Sequence, residues 1–125
     1  MKKPDIRTLR DEAQKAVDKA KWAKAVEIYG QLAAVQPVEP LWPHRAGEAL
    51  RKVGDKLNAI VAFRKAADLY HAAGFLLKAI AIWKKIDKLD ATALEPKVNL
   101  GELYAKQGLM MEAKSQYQIV VDEYV

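Results

Sequence analysis

Apolar and small residues recur three and four positions apart along almost the whole chain, as in Ala25/Tyr29/Leu32, Ala59/Phe63/Ala66, Ala79/Trp83/Ile86 and Ala113/Tyr117/Val120. That spacing puts each set on one face of an α-helix. Charged pairs such as Arg51/Lys52, Arg64/Lys65 and Lys84/Lys85 fall between the apolar positions and form the wet faces. The pattern predicts an all-α chain of about seven helices, at about residues 5–19, 22–35, 42–53, 56–73, 76–89, 93–107 and 109–124. Pro37, Pro40 and Pro43 bracket one break, and residues 90–96, ending at Pro96, make another, because proline is tolerated in a helix's first turn but not inside it. From Phe75 to Trp83 only Lys78 interrupts the apolar run. A helix apolar nearly all round is buried on several sides or carries a docking patch; a strand over 79–83 fits poorly before the helix-favouring stretch 84–89.

The spacing between the sets is itself regular. The four aromatic-centred sets begin 34, 20 and 34 residues apart, and a second signature, Ala13/Ala16/Ala20, Gly47/Leu50/Gly54, Ala67/Tyr70/Gly74 and Gly101/Tyr104/Gly108, repeats the same three intervals. Small residues at the crossings let two helix axes approach to about 8–10 Å, an aromatic one turn on fills the space beside them, and glycine past a helix end accepts the left-handed conformation that stops it. Each unit is therefore a helical hairpin. The 20-residue interval is 14 short of the others, about one helix and a turn. The segment 56–73 must then close one hairpin and open the next, which predicts an irregular superhelix that bends or twists near Gly74.

Together these positions resemble the tetratricopeptide repeat, a 34-residue helix-turn-helix unit. The likeness covers nearly the whole chain and is densest at Leu100, Gly101, Tyr104, Gly108, Ala113 and Tyr117, and at Ala46, Gly47, Leu50, Gly54, Ala59 and Phe63. Ala20 replaces a turn glycine and His71 a terminal proline. The resemblance implies a right-handed superhelix of antiparallel hairpins in a single domain, 1–125, with units at about 6–39, 40–73, 60–93 and 94–125. It also implies a protein-interaction scaffold or adaptor that holds a peptide or helix of another protein in its concave groove. First helices would line that groove with Arg7, Arg10, Gln14, His44, Glu48, Arg51, Arg64, Asp68, Glu102 and Lys106. The acidic-tail clamp of some relatives needs asparagines where Gln14 and Glu48 stand, which argues against a chaperone-tail adaptor. Bacterial secretion chaperones of similar size share the helical design and supply an alternative.

The 125 residues, 51% hydrophobic and 30% charged, fit one globular unit. The opening carries lysines and arginine with no apolar run behind them, so no secretory signal or membrane span is read and the expected address is the cytoplasm. The net charge of +5 is spread thinly except in residues 41–90, where ten Lys and Arg face five Asp and Glu. RNA binding fits poorly, since Tyr29, Phe63, Trp83 and Tyr117 are given over to packing and leave no exposed row for base stacking.

Candidate chemistry changes the picture only by its scarcity. Cysteine is missing, Ser115 is the one serine, and His44 and His71 lie in different units without metal-ligand spacing. Five of the six glycines occupy repeat positions, which leaves Gly30 and no phosphate-cradling loop. Glu48, Asp68 and Glu102 offer carboxylates, but exposed helix acids ordinarily serve solubility or bind lysines. No enzyme activity, cofactor or metal is expected. Phe75, Leu76, Met110, Met111, Val121 and Val125 form a second candidate surface, apolar in kind. The chain stops after an apolar last helix with no polar cap, and the expectation is a neighbour there: further repeats, a ligand, or a second copy, which would make this a self-assembly module.

Overall fold

In the computed structural model, which describes residues 5–124, the chain is a succession of seven helices: α1 (Ile6–Asp18), α2 (Trp22–Val35), α3 (Leu41–Lys52), α4 (Lys56–Ala72), α5 (Leu76–Leu89), α6 (Glu95–Lys106) and α7 (Met110–Glu123). No strand occurs among the described residues. Helix bounds agree with the periodicity to within about two residues, the usual uncertainty of helix ends.

The connections show how the hairpins are arranged. Four of them are the same tight turn. Ala20, Gly54, Gly74 and Gly108 have φ of 55°, 82°, 84° and 76°. The next amide in each turn donates to a carbonyl five residues back: Lys21 to Ala16, Asp55 to Leu50, Phe75 to Tyr70 and Leu109 to Tyr104. This is the left-handed helix stop that satisfies the last carbonyls. Ala20 takes that conformation without glycine's freedom, at a cost of about 1 kcal/mol. The other two connections, after α2 and after α5, are longer crossovers. Turns thus join α1 to α2, α3 to α4, α4 to α5, and α6 to α7. Helix α4 alone has a hairpin turn at both ends, so it belongs to two hairpins, as the 20-residue interval requires.

Packing follows from the small residues. An added Cβ on Gly47 of α3 would stand 2.6 Å from the Phe63 ring of α4, and one on Gly101 of α6 would stand 2.6 Å from the Tyr117 ring of α7. In both hairpins the glycine is what lets an aromatic lie flat against the facing backbone. Buried apolar residues form two clusters, one from Leu9 to Ala49 across α1–α3 and one from Ala59 to Ala113 across α4–α7. Helix α3 touches both, with Ala46 packed on the first and Leu50 on the second. The apolar helix α5 is core, burying Ala79, Ile80, Ile82, Trp83 and Ile86 while Leu77 stays exposed. Asp5 and Asp55 cap α1 and α4 by accepting from the amides of Thr8 and Asn58; the Thr8 amide, and then its side chain, hold the Asp5 carboxyl below its ordinary range. At the first crossover the buried Trp42 indole donates to Gln36 Oε1 at 2.7 Å. At the second, Lys97 Nζ donates to Asp87 Oδ1 at 2.7 Å and to the carbonyls of Ala91 and Ala93 at 2.8 and 3.2 Å.

The fold is thus an all-helical, tetratricopeptide-like array of antiparallel hairpins with one helix shared.

Candidate functional site

Alternation around the shared helix decides which side chains meet. Phe63 and Tyr70 of α4 point between α3 and α5: the Tyr70 hydroxyl is 2.9 Å from His44 Nδ1 of α3, the Lys78 ammonium of α5 lies over the Tyr70 ring at 5.7 Å, and Lys85 lies over Phe63 at 5.8 Å. Arg64 sits one residue, roughly 100° of helix rotation, away from Phe63 and reaches α6 instead, with its Nε 2.8 Å from Glu95 Oε1. On the same side of α4, His71 Nε2 is 3.0 Å from Lys106 Nζ of α6. Helices α3 and α5 therefore run side by side over one flank of α4, and α6 lies along another.

The ten residues expected along the first helices fall into separate groups. Arg10 and Gln14 line a cavity of about 250 Å³ between α1 and α3 with Asp11, Tyr29, Trp42 and Arg45. The Arg10 guanidinium lies 5.8 Å from the Trp42 ring centroid, and Trp42 stacks on Tyr29. Glu48 and Arg51 line a cavity of about 510 Å³ between α3 and α5, together with Lys85, Lys88 and Leu89. Arg64 and Lys106 belong to the α4–α6 contact just described. Arg7, Asp68 and Glu102 are exposed on α1, α4 and α6. His44 is half-buried and turned to Tyr70 and Phe63, so it is part of the floor between α3 and α5 more than of an open rim.

Electrostatics in the α3–α5 groove follow from this crowding. Burial pushes the His44 pKa down, and Lys85, Arg45 and Lys78 push it further against the opposing pull of Glu48. The imidazole is therefore neutral at pH 7. Burial tends to raise the Glu48 pKa, but hydrogen bonds from Lys85 and Arg51, with their charges, outweigh it and hold the carboxylate below its ordinary range. Glu48 bridges the two helices: Oε1 accepts from Lys85 and Oε2 from Arg51 Nη2 at 3.0 Å. Burial raises the Tyr70 pKa, and the nearby Glu39 adds to it.

A third cavity, of about 380 Å³, opens between α2, α3 and α4 and is largely apolar, lined among others by Val26, Gly30, Ala33, Ala46 and Val61. Gly30, the glycine with no repeat role, faces open space there. Of the expected apolar surface, Phe75, Met110, Met111 and Val121 are exposed, whereas Leu76 packs against the core and Val125 lies outside the described residues. Tyr117, expected to be given over to packing, keeps 39% of its surface exposed while its ring covers Gly101. No group of three or more potential metal ligands occurs among the described residues, and no helix there is long and apolar enough to cross a membrane.

Sequence reasoning missed Lys85 and Lys88 as groove residues. The repeat signature marks α5 as a second helix, and its lysines therefore read as a solvated outer face. Sharing α4 brings α5 alongside α3 instead.

Antiparallel helical hairpins with one helix shared define a helical-repeat fold. No protein-family model matches the sequence, and no curated protein matches it. Among solved structures the chain is similar to a crystal structure of MamA, at 19% identity over 96% of this chain and 78% of that one, with a TM-score of 0.47. It is similar to residues 41 to the end of MamA from Desulfovibrio magneticus RS-1, at 17% identity over 94% and 75% of the two chains, TM-score 0.49. The tetratricopeptide domain of P58(IPK) gives 19% identity over 93% of this chain and 40% of that one, TM-score 0.47.

Proposed function

We infer that the chain is a non-catalytic interaction scaffold that holds a peptide or helical segment of a partner protein in the groove between α3 and α5. The observation that carries this reading is the cavity of about 510 Å³ lined by Glu48, Arg51, Lys85, Lys88 and Leu89. It is wide enough for one or two side chains of a bound segment. Its walls combine charged anchors with the apolar edge of Leu89, the mixture by which a groove fixes the register of a segment and contributes contact area. Behind it the packing of α3 and α5 on α4 is held by Phe63, which is fully buried, and by Tyr70, which is nearly so, and a preformed site loses little entropy on binding.

Selection from a displayed library of random peptides tests this. Peptides enriched on the wild-type chain are expected to lose about tenfold or more in affinity on Arg51→Ala/Lys88→Ala, two truncated anchors at about 1 kcal/mol or less each when exposed, with the circular dichroism unchanged. Amide resonances of α3 and α5 should shift on binding. Enriched peptides that shift only other helices and bind the double variant equally well would remove the groove assignment.

A further inference from the structure

Within that groove the charges do not balance. Three cations, Arg51, Lys85 and Lys88, line the cavity against one carboxylate, Glu48. The one acid of α5, Asp87, is turned to Lys97 at the α5–α6 crossover, with Oδ1 2.7 Å from the ammonium, and does not neutralise the groove. Arg45 and Lys78 add their field at His44, which is neutral and contributes no charge of its own. Glu48 therefore bridges cations that would otherwise repel one another across the gap between α3 and α5, and it does so with both oxygens.

Resting on the groove reading above, we propose that the α3–α5 groove selects an acidic polypeptide segment and that Glu48 is its built-in competitor. The Glu48 carboxylate lies where a carboxylate of the partner would lie, between Arg51 and Lys85. An incoming Asp or Glu first meets Lys88, which none of the groove's acids holds, and then contends with Glu48 for the other two cations. The competitor sets both affinity and selectivity. A weakly acidic segment gains too little to displace Glu48, and a basic segment is repelled by the excess of cations. Carboxylates are favoured over a nucleic-acid strand because the aromatic rings beneath the lysines, Phe63 and Tyr70, are buried and offer no face on which a base could stack.

The proposal predicts an effect opposite in sign to that of a merely structural bridge. If Glu48 only tied α3 to α5, removing its charge would loosen the groove and weaken binding. If it is a competitor, removing its charge strengthens binding of an acidic segment. Fluorescence anisotropy on the full chain, with three labelled 12-residue probes of Leu and Ala mixed with Glu, Gln or Lys, distinguishes these. The Glu peptide is expected to bind most tightly, about fivefold tighter to Glu48→Gln than to wild type and about fivefold more weakly to Lys88→Gln, the size of one exposed charge pair, with binding weakened by added salt. Glu48→Gln binding the Glu peptide equally or more weakly overturns the competitor. Preference for the Gln or Lys peptide, with α3 and α5 resonances still shifting, overturns the acidic selectivity but leaves the groove reading intact. If no peptide shifts those resonances, both fail. An oligouridine strand bound more tightly than the Glu peptide assigns the cations to nucleic acid and overturns the proposal. Unfolding curves of each variant, expected to stay within about 1 kcal/mol of wild type because Lys88 is exposed and the Glu48 ion pairs are partly so, confirm that affinity changes are not lost folding.

Discussion

Gly47→Ala is expected to destabilise the domain by about 2 kcal/mol and lower its melting temperature by about 8 °C. The new methyl group would lie 2.6 Å from three-coordinate carbons of a Phe63 ring that is completely buried and has nowhere to turn, so α3 and α4 must separate or Phe63 must leave its rotamer. The better helix propensity of alanine, about 1 kcal/mol, offsets part of that cost. The same substitution elsewhere gives different results for stated reasons. Gly101→Ala meets the Tyr117 ring at the same distance, but that ring is partly exposed and can swing outward, so the net change should stay within about 1 kcal/mol. Gly30→Ala meets nothing within 4 Å in the interior of α2 and should stabilise by about 0.5–1 kcal/mol. Urea unfolding of the three variants measures the order directly. Equal effects at Gly47 and Gly30 would mean that the α3–α4 contact is not as close as described.

Lys97→Met should be about as costly, near 2 kcal/mol. The ammonium is almost wholly buried, and its three protons go to Asp87 and to the carbonyls of Ala91 and Ala93. Methionine fills the same space and removes all three donors. The Asp87 carboxylate is partly solvated, which limits the loss, while the two carbonyls of the crossover are left to find water. The loss should also be local: hydrogen exchange at residues 90–97 is expected to accelerate more than at the α3–α4 turn. Unchanged stability and unchanged protection would show that the lysine does not fasten the crossover.

Much of the architecture was legible from residue types. The paired 34, 20 and 34 intervals implied a helix used twice, and the left-handed turns at Gly54 and Gly74, one at each end of α4, show how the backbone achieves it. Gly47 and Gly101 were recognisable as close approaches because they are small residues recurring at the crossing position of the repeat. The groove was less legible. Assigning Arg64 and Lys106 to the same face as Glu48 assumes that every first helix lies on one side, and the shared helix breaks that assumption. Lys85 and Lys88 look like any solvated pair until α5 is placed beside α3. Lys97 carried no signal, since its partners are one acid ten residues away and two backbone carbonyls, and no local pattern encodes those.

The double use of α4 is the claim on which the groove depends, and proton–proton contacts in solution test it most directly. With phenylalanine and tyrosine rings labelled, nuclear Overhauser effects are expected from Phe63 both to Gly47 of α3 and to the Lys85 side chain of α5, and from Tyr70 to both His44 and Lys78. Contacts from these rings to α3 alone, with α5 packed elsewhere, would contradict it and leave no groove between α3 and α5.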